Sequence, residues 1–161
     1  MIFLIGFMGS GKSTIAVQLG ERLALPVIEM DTEIEKQEGV SIKDMFSQKG
    51  EPFFRQKETE LLQNIKADSV VSTGGGVVER EENLEAMNVG KVIYLQASWE
   101  TICERLIGDT DRPLWRGEES EKKKKFTDRQ SMYEQAADLT VEVDNRTPEE
   151  ITEIILKRLK G

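Results

Sequence analysis

Short apolar runs alternate with amphipathic stretches along the chain, a pattern typical of β-α units. Five apolar runs predict strands. The strand candidates are Ile2–Ile5, Val27–Met30, Val70–Ser72, Lys91–Leu95 and Leu139–Val143. Between them, apolar residues recur at helical spacing, first from Ser13 to about Leu25. Because strands and helices alternate, we expect an α/β fold with a parallel sheet.

Local capping signals predict where later helices begin. Pro52 opens an amphipathic stretch, and Ser98 is a candidate N-cap for another. A capping box of Thr147 and Glu150, with Pro148 at the first helical position, begins the last helix.

Two segments depart from the simple alternation. The stretch from Thr32 to Ser69 looks helical throughout. It is too long for one crossover helix and predicts a helical lobe beside the sheet. Residues 108–117 are bounded by glycines and interrupted by Pro113, which predicts a mobile loop or a lid.

Composition narrows the possible chemistry. The 161 residues suit one domain, and 22 basic against 30 acidic residues give a net charge of −8. That charge disfavours non-specific binding to nucleic acid or membranes. The chain has no histidine, which excludes His-based triads and His-ligated metals, and its single cysteine, Cys103, excludes an intrachain disulfide. Without histidine, any metal would be bound by oxygen atoms. Because there is no long apolar run and no basic N-terminal region, we expect a cytoplasmic protein.

A phosphate-binding motif follows the first predicted strand directly. Residues 6–13 read GFMGSGKS and match the P-loop pattern G-x-x-x-x-G-K-[ST]. Its glycines let backbone N–H groups point at a phosphate, Lys12 reaches the β and γ phosphates, and the Ser13 hydroxyl can bind magnesium. The helix that follows presents its positive dipole end to the same anion. The motif therefore predicts a nucleotide-binding site.

Other features narrow the class of P-loop protein. The chain lacks the Asp-x-x-Gly and Asn/Thr-Lys-x-Asp strings of GTPases, and its third predicted strand ends without the acid of ATPase motors. The nearest acids are Asp31 and Glu33, expected at the sheet edge that carries the P-loop. One could hold the magnesium shell while the other accepts a hydrogen bond from an attacking hydroxyl. Alternatively, Asp31 only caps a helix that begins at Thr32.

Three consecutive glycines, Gly74, Gly75 and Gly76, follow the third predicted strand. They form either a tight turn or a flat backbone surface on which a small ligand rests.

Five arginines are candidates for binding an anionic ligand: Arg55, Arg105, Arg112, Arg129 and Arg146. The simpler interpretations are a surface ion pair between Arg55 and Glu58, and a solvated helix face for Arg129. Arg112, in the glycine-bounded segment, could close over a γ-phosphate. The run Lys122–Lys125 predicts an exposed helix face.

With these motifs in order, the chain resembles shikimate kinases over nearly its whole length. The resemblance rests on the P-loop through Thr14, Asp31-Thr32-Glu33, Phe54-Arg55-Gln56-Lys57-Glu58, Gly74-Gly75-Gly76, Arg112-Pro113-Leu114, Arg129-x-x-x-Tyr133 and Asn145-Arg146-Thr147-Pro148. It implies a three-layer P-loop fold with a five-stranded parallel sheet, a helical substrate-binding lobe at about residues 32–64 and a lid at about residues 108–120. It also implies transfer of the ATP γ-phosphoryl group to the 3-hydroxyl of shikimate, in aromatic amino acid biosynthesis.

The resemblance also implies roles for individual residues. The residues expected to bind ATP are Gly9, Ser10, Gly11, Lys12, Ser13, Thr14, Arg105, Arg112 and Arg146. Those expected to bind shikimate are Glu33, Arg55, Gly74, Gly75, Gly76 and Arg129. Mg²⁺ is assigned to Ser13 and Asp31, and the catalytic role to Lys12, Asp31 and Arg112. The family motif after the second strand is usually Asp-x-Asp, and Glu33 is expected at its second acid.

Two other functions stay open on the sequence alone. A gluconate kinase would also bind a substrate that carries a carboxylate and several hydroxyls. A nucleoside monophosphate kinase would need a denser arginine cluster for the phosphate of its acceptor. A silent nucleotide-binding module would bind ATP without turnover. The resemblance also implies a monomer acting on small molecules.

Overall fold

The computed structural model describes residues 1–106 and 118–161. Within these residues, five parallel strands form one sheet in the order β2-β3-β1-β4-β5. The strands are β1 Ile2–Ile5, β2 Val27–Glu29, β3 Val70–Ser72, β4 Lys91–Gln96 and β5 Leu139–Glu142. The predicted α/β fold with a five-stranded parallel sheet is confirmed.

Helices connect the strands and cover the sheet. They are α1 Lys12–Leu23, α2 Met30–Glu38, α3 Ile42–Lys49, α4 Glu51–Asn64, α5 Glu81–Met87, α6 Trp99–Leu106, α7 Glu119–Ala136 and α8 Pro148–Lys160. The predicted caps are present, since the hydroxyl of Thr147 accepts from the Glu150 N–H and that of Ser98 from the Thr101 N–H.

The central strand β1 is buried along its whole length, as its unbroken apolar run predicts for a sheet covered on both faces. Strands β3 and β4 flank it, and the connection from β1 runs to β2 on one side of the sheet, whereas the connection from β3 crosses to β4 on the other side. Ligands of open parallel sheets bind at such a switch point, beyond the carboxyl ends of the strands. The segment after β1 is the P-loop.

One predicted boundary is wrong in a way that matters for the site. Strand β2 ends at Glu29, and Met30, predicted as its last residue, begins α2. The alternative that Asp31 caps a helix starting at Thr32 is wrong as well, because the N-cap is Glu29. Met30 is fully buried as a helical residue.

The segment between β2 and β3 is helical, as predicted, but divided into α2, α3 and α4. Gly39, with φ of 73°, ends α2, and the Ser41 hydroxyl caps α3 by accepting from the Asp44 N–H. A small apolar cluster of Ile34, Met45 and Phe54 packs the three helices together.

Candidate active site

The P-loop joins β1 to α1 and leaves the first turn of α1 open to an anion. Gly11, the N-cap, has φ of 96°, a left-handed conformation that favours glycine. The helix has no side-chain cap and no acid in its first turn. Its free N–H groups and its dipole therefore favour a phosphate. Lys12 is 8% exposed, and its ammonium donates to the carbonyls of Gly6 and Phe7 at 2.6 and 3.2 Å.

A cavity of about 900 Å³ opens at this edge of the sheet. Its first part, the loop end, is lined by Gly9, Ser10, Gly11, Lys12, Ser13, Thr14, Arg105 and Arg146. Arg105 contacts the P-loop, since its Nη1 donates to the Gly9 carbonyl at 2.9 Å. Arg146 donates to the Glu142 carbonyl at 3.1 Å. All of the described residues predicted to bind ATP therefore line one cavity.

The second part, the paired-arginine end, is lined by Arg55, Glu58, Gly74, Gly75, Gly76 and Arg129. Arg55 Nη1 donates to Glu58 at 3.0 Å and its Nε to Glu51 at 3.1 Å. The Glu58 side chain is 0% exposed, so the predicted surface ion pair is in fact buried. Burial raises the pKa of Glu58, and the Arg55 guanidinium opposes that rise. Burial lowers the pKa of Arg55, but its two carboxylate partners outweigh this effect and raise it.

The glycines at this end make room for the buried ion pair. A Cβ on Gly76 would lie 2.6 Å from Arg55 Nη1, and one on Gly74 would lie 2.4 Å from Glu58 Oε2. Neither position has space for a side chain unless the pair moves. The glycines thus let the ion pair approach the backbone closely, and Gly75 and Gly76 lie in a turn, while the flat surface for a ligand stays a prediction.

Arg129 completes this end from α7. It is 1% exposed, so the alternative of a solvated helix face is wrong. Its Nη2 donates to Glu79 at 2.8 Å, and its guanidinium lies 5.9 Å from the Phe7 ring centroid. One turn later, the Tyr133 hydroxyl donates to the Gly75 carbonyl at 2.5 Å. Two residues on one face of α7 therefore hold the segment that follows β3.

Several arginine nitrogens at this end lack a hydrogen-bond partner within residues 1–106 and 118–161. They are Arg55 Nη2, Arg129 Nε and Arg129 Nη1, and all three are buried. Buried donors are rarely left unsatisfied, and charged ones bind carboxylate or phosphate oxygens best. This end is therefore built to receive an anionic group.

The acids that line the cavity differ from the predicted pair. Asp31 lies there, with Oδ1 3.3 Å from the position of a Cβ on Gly74. Two further acids of this segment line the cavity, Glu29, the last residue of β2, and Glu35, whose Oε2 accepts from the Ile42 N–H at 2.9 Å, whereas Glu33 is not among the described lining residues. Asp31 and Glu33, both expected at the sheet edge that carries the P-loop, lie instead in α2, where the directions of residues two apart differ by roughly 200°. Glu29 was missed because β2 was predicted to continue through Met30.

Residues 107–117 lie outside the described part of the chain, so the predictions for Arg112 and for most of the lid are not addressed. On α7, Lys123 and Lys124 are exposed as predicted, but Lys122 and Lys125 are half-buried. Burial lowers the pKa of Lys125, and Arg129 lowers it further. Its spacing of four residues from Arg129 was the signal that it shares that face.

None of the helices in residues 1–106 and 118–161 has the length and apolar character needed to cross a bilayer. In the same residues, no group of three or more acidic or cysteine side chains is arranged to hold a metal ion by itself.

Comparison with known proteins agrees with this site. A family model described as shikimate kinase matches residues 8–160. A shikimate kinase from Persephonella marina is 41% identical over 162 residues, which cover 99% of this chain and 98% of the relative.

Solved structures give the same result. The shikimate kinase of Acinetobacter baumannii, in complex with shikimate, matches with a TM-score of 0.93 and 32% identity, over 99% of this chain and 92% of its own. The shikimate kinase of Aquifex aeolicus matches with a TM-score of 0.86 and 37% identity, over 99% and 96%. The chain therefore belongs to the shikimate kinase family, whose members are ATP-dependent kinases that phosphorylate shikimate.

Proposed function

We propose that one cavity binds ATP at its loop end and shikimate at its paired-arginine end, and that the γ-phosphoryl group passes to the 3-hydroxyl of shikimate. The observation that carries this proposal is the set of buried nitrogens of Arg55 and Arg129 that have no hydrogen-bond partner among the described residues, in the cavity that also contains the P-loop. They match a ligand that carries a carboxylate.

At the loop end, the backbone N–H groups of residues 9–14 bind the ATP phosphates, and Lys12 neutralises the transferred charge. Arg105 and Arg146 lie beside the adenine. Arg112 remains the proposed lid arginine, which would close over the γ-phosphate from about residues 108–120.

At the paired-arginine end, Arg55 and Arg129 hold the shikimate carboxylate, while Gly75 contacts the ring hydroxyls. Asp31, beside Gly74, accepts a hydrogen bond from the attacking hydroxyl and so orients it. Glu29, which lines the cavity, is the proposed second acid of the site, and Glu33, which the sequence predicts in that role, is the alternative.

Ser13 at the loop end and the acids between the two ends of the cavity also fit Mg²⁺. The Ser13 hydroxyl and the carboxylates of Asp31 and Glu29 are hard oxygen ligands in one cavity. Mg²⁺ prefers substrate phosphates, water and one or two protein oxygens to a full protein cage, which agrees with the absence of a cluster of three such acids in the described residues. Bound there, it would neutralise charge on the β and γ phosphates.

On this proposal the chain is one kinase domain, with α2–α4 as the acceptor-binding lobe, acting as a cytoplasmic monomer. Size-exclusion chromatography with light scattering tests the monomer, and a dimer mass at micromolar concentration would contradict it.

The test of the reaction is ADP release from ATP and Mg²⁺, with shikimate, gluconate and AMP offered separately. We expect turnover with shikimate alone. Turnover with gluconate or AMP instead would discard the assignment of the paired-arginine end, and ATP binding without turnover would favour the silent module.

A further inference from the structure

At the paired-arginine end, carboxylates of the protein already neutralise the two guanidinium groups in part. Arg55 already has two carboxylate partners, Glu51 and Glu58, and Arg129 has Glu79. Three resident carboxylates thus face two guanidinium groups before any anionic ligand binds. Among them, Glu58 is fully buried, whereas the Glu79 side chain is 43% exposed and can turn toward solvent.

Glu79 occupies the nitrogen that a second carboxylate needs most. A carboxylate that binds a guanidinium through two parallel hydrogen bonds uses Nη2 together with either Nε or Nη1. Glu79 accepts from Nη2 of Arg129 at 2.8 Å, while Nε and Nη1 have no partner in the described residues. An incoming carboxylate that binds through two hydrogen bonds therefore shares Nη2 with Glu79, by using its second hydrogen, or displaces Glu79.

Arg129 does not depend on Glu79 for its position. The arginine is 1% exposed, its guanidinium lies near the Phe7 ring, and Nη1 lies 3.5 Å from the position of a Cβ on Gly75. Packing therefore fixes the guanidinium. Glu79 itself is held by its backbone, because its N–H donates to the Gly76 carbonyl at 3.1 Å. The carboxylate thus stays beside the site even when it turns away.

A second cation, Lys125, lies on the same helix as Arg129. Lys125 lies one helical turn before Arg129 on α7 and is half-buried. It makes no ion pair within 4.0 Å with another described residue. Glu79 and Glu51 both act on its ammonium electrostatically and raise its pKa, against the larger effects of burial and Arg129.

From this arrangement we propose that Glu79 is a resident counter-ion of Arg129 that competes with the shikimate carboxylate, and that Lys125 takes up Glu79 when the ligand binds. Glu79 is thus a specificity-determining residue that weakens binding of the acceptor without touching the reacting atoms. This inference rests on the proposed function of the paired-arginine end.

The test is calorimetric titration of the full chain with shikimate and with its neutral methyl ester. Glu79→Gln keeps an oxygen for Arg129 Nη2 but removes the charge. We expect it to tighten shikimate binding about three- to tenfold, the effect of removing one nearby like charge. Binding of the ester should not change. Glu82→Gln, which removes an exposed charge on α5 three residues away, is the matched control and should alter neither titration.

Lys125→Gln provides a second arm. We expect it to weaken shikimate binding when it is introduced into the wild-type chain. In the Glu79→Gln chain, where no displaced charge needs a partner, the same substitution should weaken binding by a smaller factor. Weaker or unchanged shikimate binding by Glu79→Gln would overturn the inference, as would equal tightening of acid and ester. If the wild-type chain bound neither compound, the proposed function itself would fail.

Discussion

At the loop end of the cavity, the binding groups come from consecutive residues 6–14 and are mostly backbone N–H groups. At the paired-arginine end, they are side chains from α4, from the segment after β3 and from α7. Backbone N–H groups at a helix N-terminus do not depend on the identity of most neighbouring side chains, so the loop end is sensitive mainly at Gly11, whose left-handed backbone favours glycine, and at Lys12 and Ser13.

The paired-arginine end lacks that protection. There, Glu51 and Glu58 position and partly neutralise Arg55, and Glu79 partly neutralises Arg129, so one substitution changes the charge of the site and, around Arg55, its geometry as well. This difference implies that most substitutions should change the affinity for ATP little, whereas single substitutions should change the affinity for the acceptor. Substitutions at the two ends should therefore separate the two substrates kinetically.

The largest effect is expected at Lys12. Lys12→Met keeps most of the length of the side chain but removes the ammonium, which stabilises the charge on the transferred group. We expect kcat to fall by about a hundred- to a thousandfold, as when one preorganised electrostatic donor is lost. The measurement is steady-state kcat together with the midpoint of thermal unfolding, which should shift little. The exposed Lys123→Met is the control, and retained turnover in Lys12→Met would remove Lys12 from the mechanism.

Arg55→Lys tests the other end. Lysine keeps the charge beside Glu58 but lacks the fork that reaches both a resident carboxylate and a ligand. We expect the KM for shikimate to rise about ten- to a hundredfold, the loss of one or more charged hydrogen bonds, with the KM for ATP unchanged.

Arg80→Lys is the matched control for this arm, because Arg80 donates to Gln56 and Thr59 and does not line the cavity. It should leave both KM values near those of the wild type. Equal rises in the two KM values of Arg55→Lys would contradict the division of the cavity into a nucleotide end and an acceptor end.

A smaller effect is expected from the acids between the two ends. Glu29→Gln should lower kcat/KM for shikimate by about tenfold, the size of one lost hydrogen bond to a charged group. Glu33→Gln, in the same helix-start region but outside the cavity lining, should leave it unchanged. A steady-state comparison of the two variants decides between them, and the reverse result would restore Glu33 to the site.

These predictions also show where the sequence was sufficient. The strand, loop and helix of residues 2–23 could be predicted because the whole motif is contiguous. The Arg55–Glu58 pair was visible at helical spacing, but its burial was not, because that depends on the backbone of Gly74 and Gly76 from a later segment. The end of β2 was misplaced since Met30 fits a buried strand and a buried helix equally well. The Glu79–Arg129 pair spans fifty residues and leaves no local signal.

The smallest effect is expected at Tyr133, which joins α7 to the glycine segment. Tyr133→Phe removes the O–H that donates to the Gly75 carbonyl and changes nothing else in the packing. We expect the KM for shikimate to rise about threefold, within the net worth of one neutral hydrogen bond, while the KM for ATP stays constant. Tyr94→Phe makes the same change in a ring 5.1 Å away on β4, outside the cavity lining, and should leave both constants unaltered.

The pH dependence of unfolding gives a second measurement on the same variant. Burial raises the pKa of Tyr133 above its ordinary value of 10.0. A raised pKa in the folded state means that the protonated phenol contributes stability that is fully present below pH 10 and is lost as the pH rises further. Tyr133→Phe should therefore lose less unfolding free energy than the wild type between pH 9 and pH 11, in denaturant titrations. Parallel losses in the two proteins, with an unchanged shikimate KM, would show that Tyr133 does not hold Gly75 at the acceptor end.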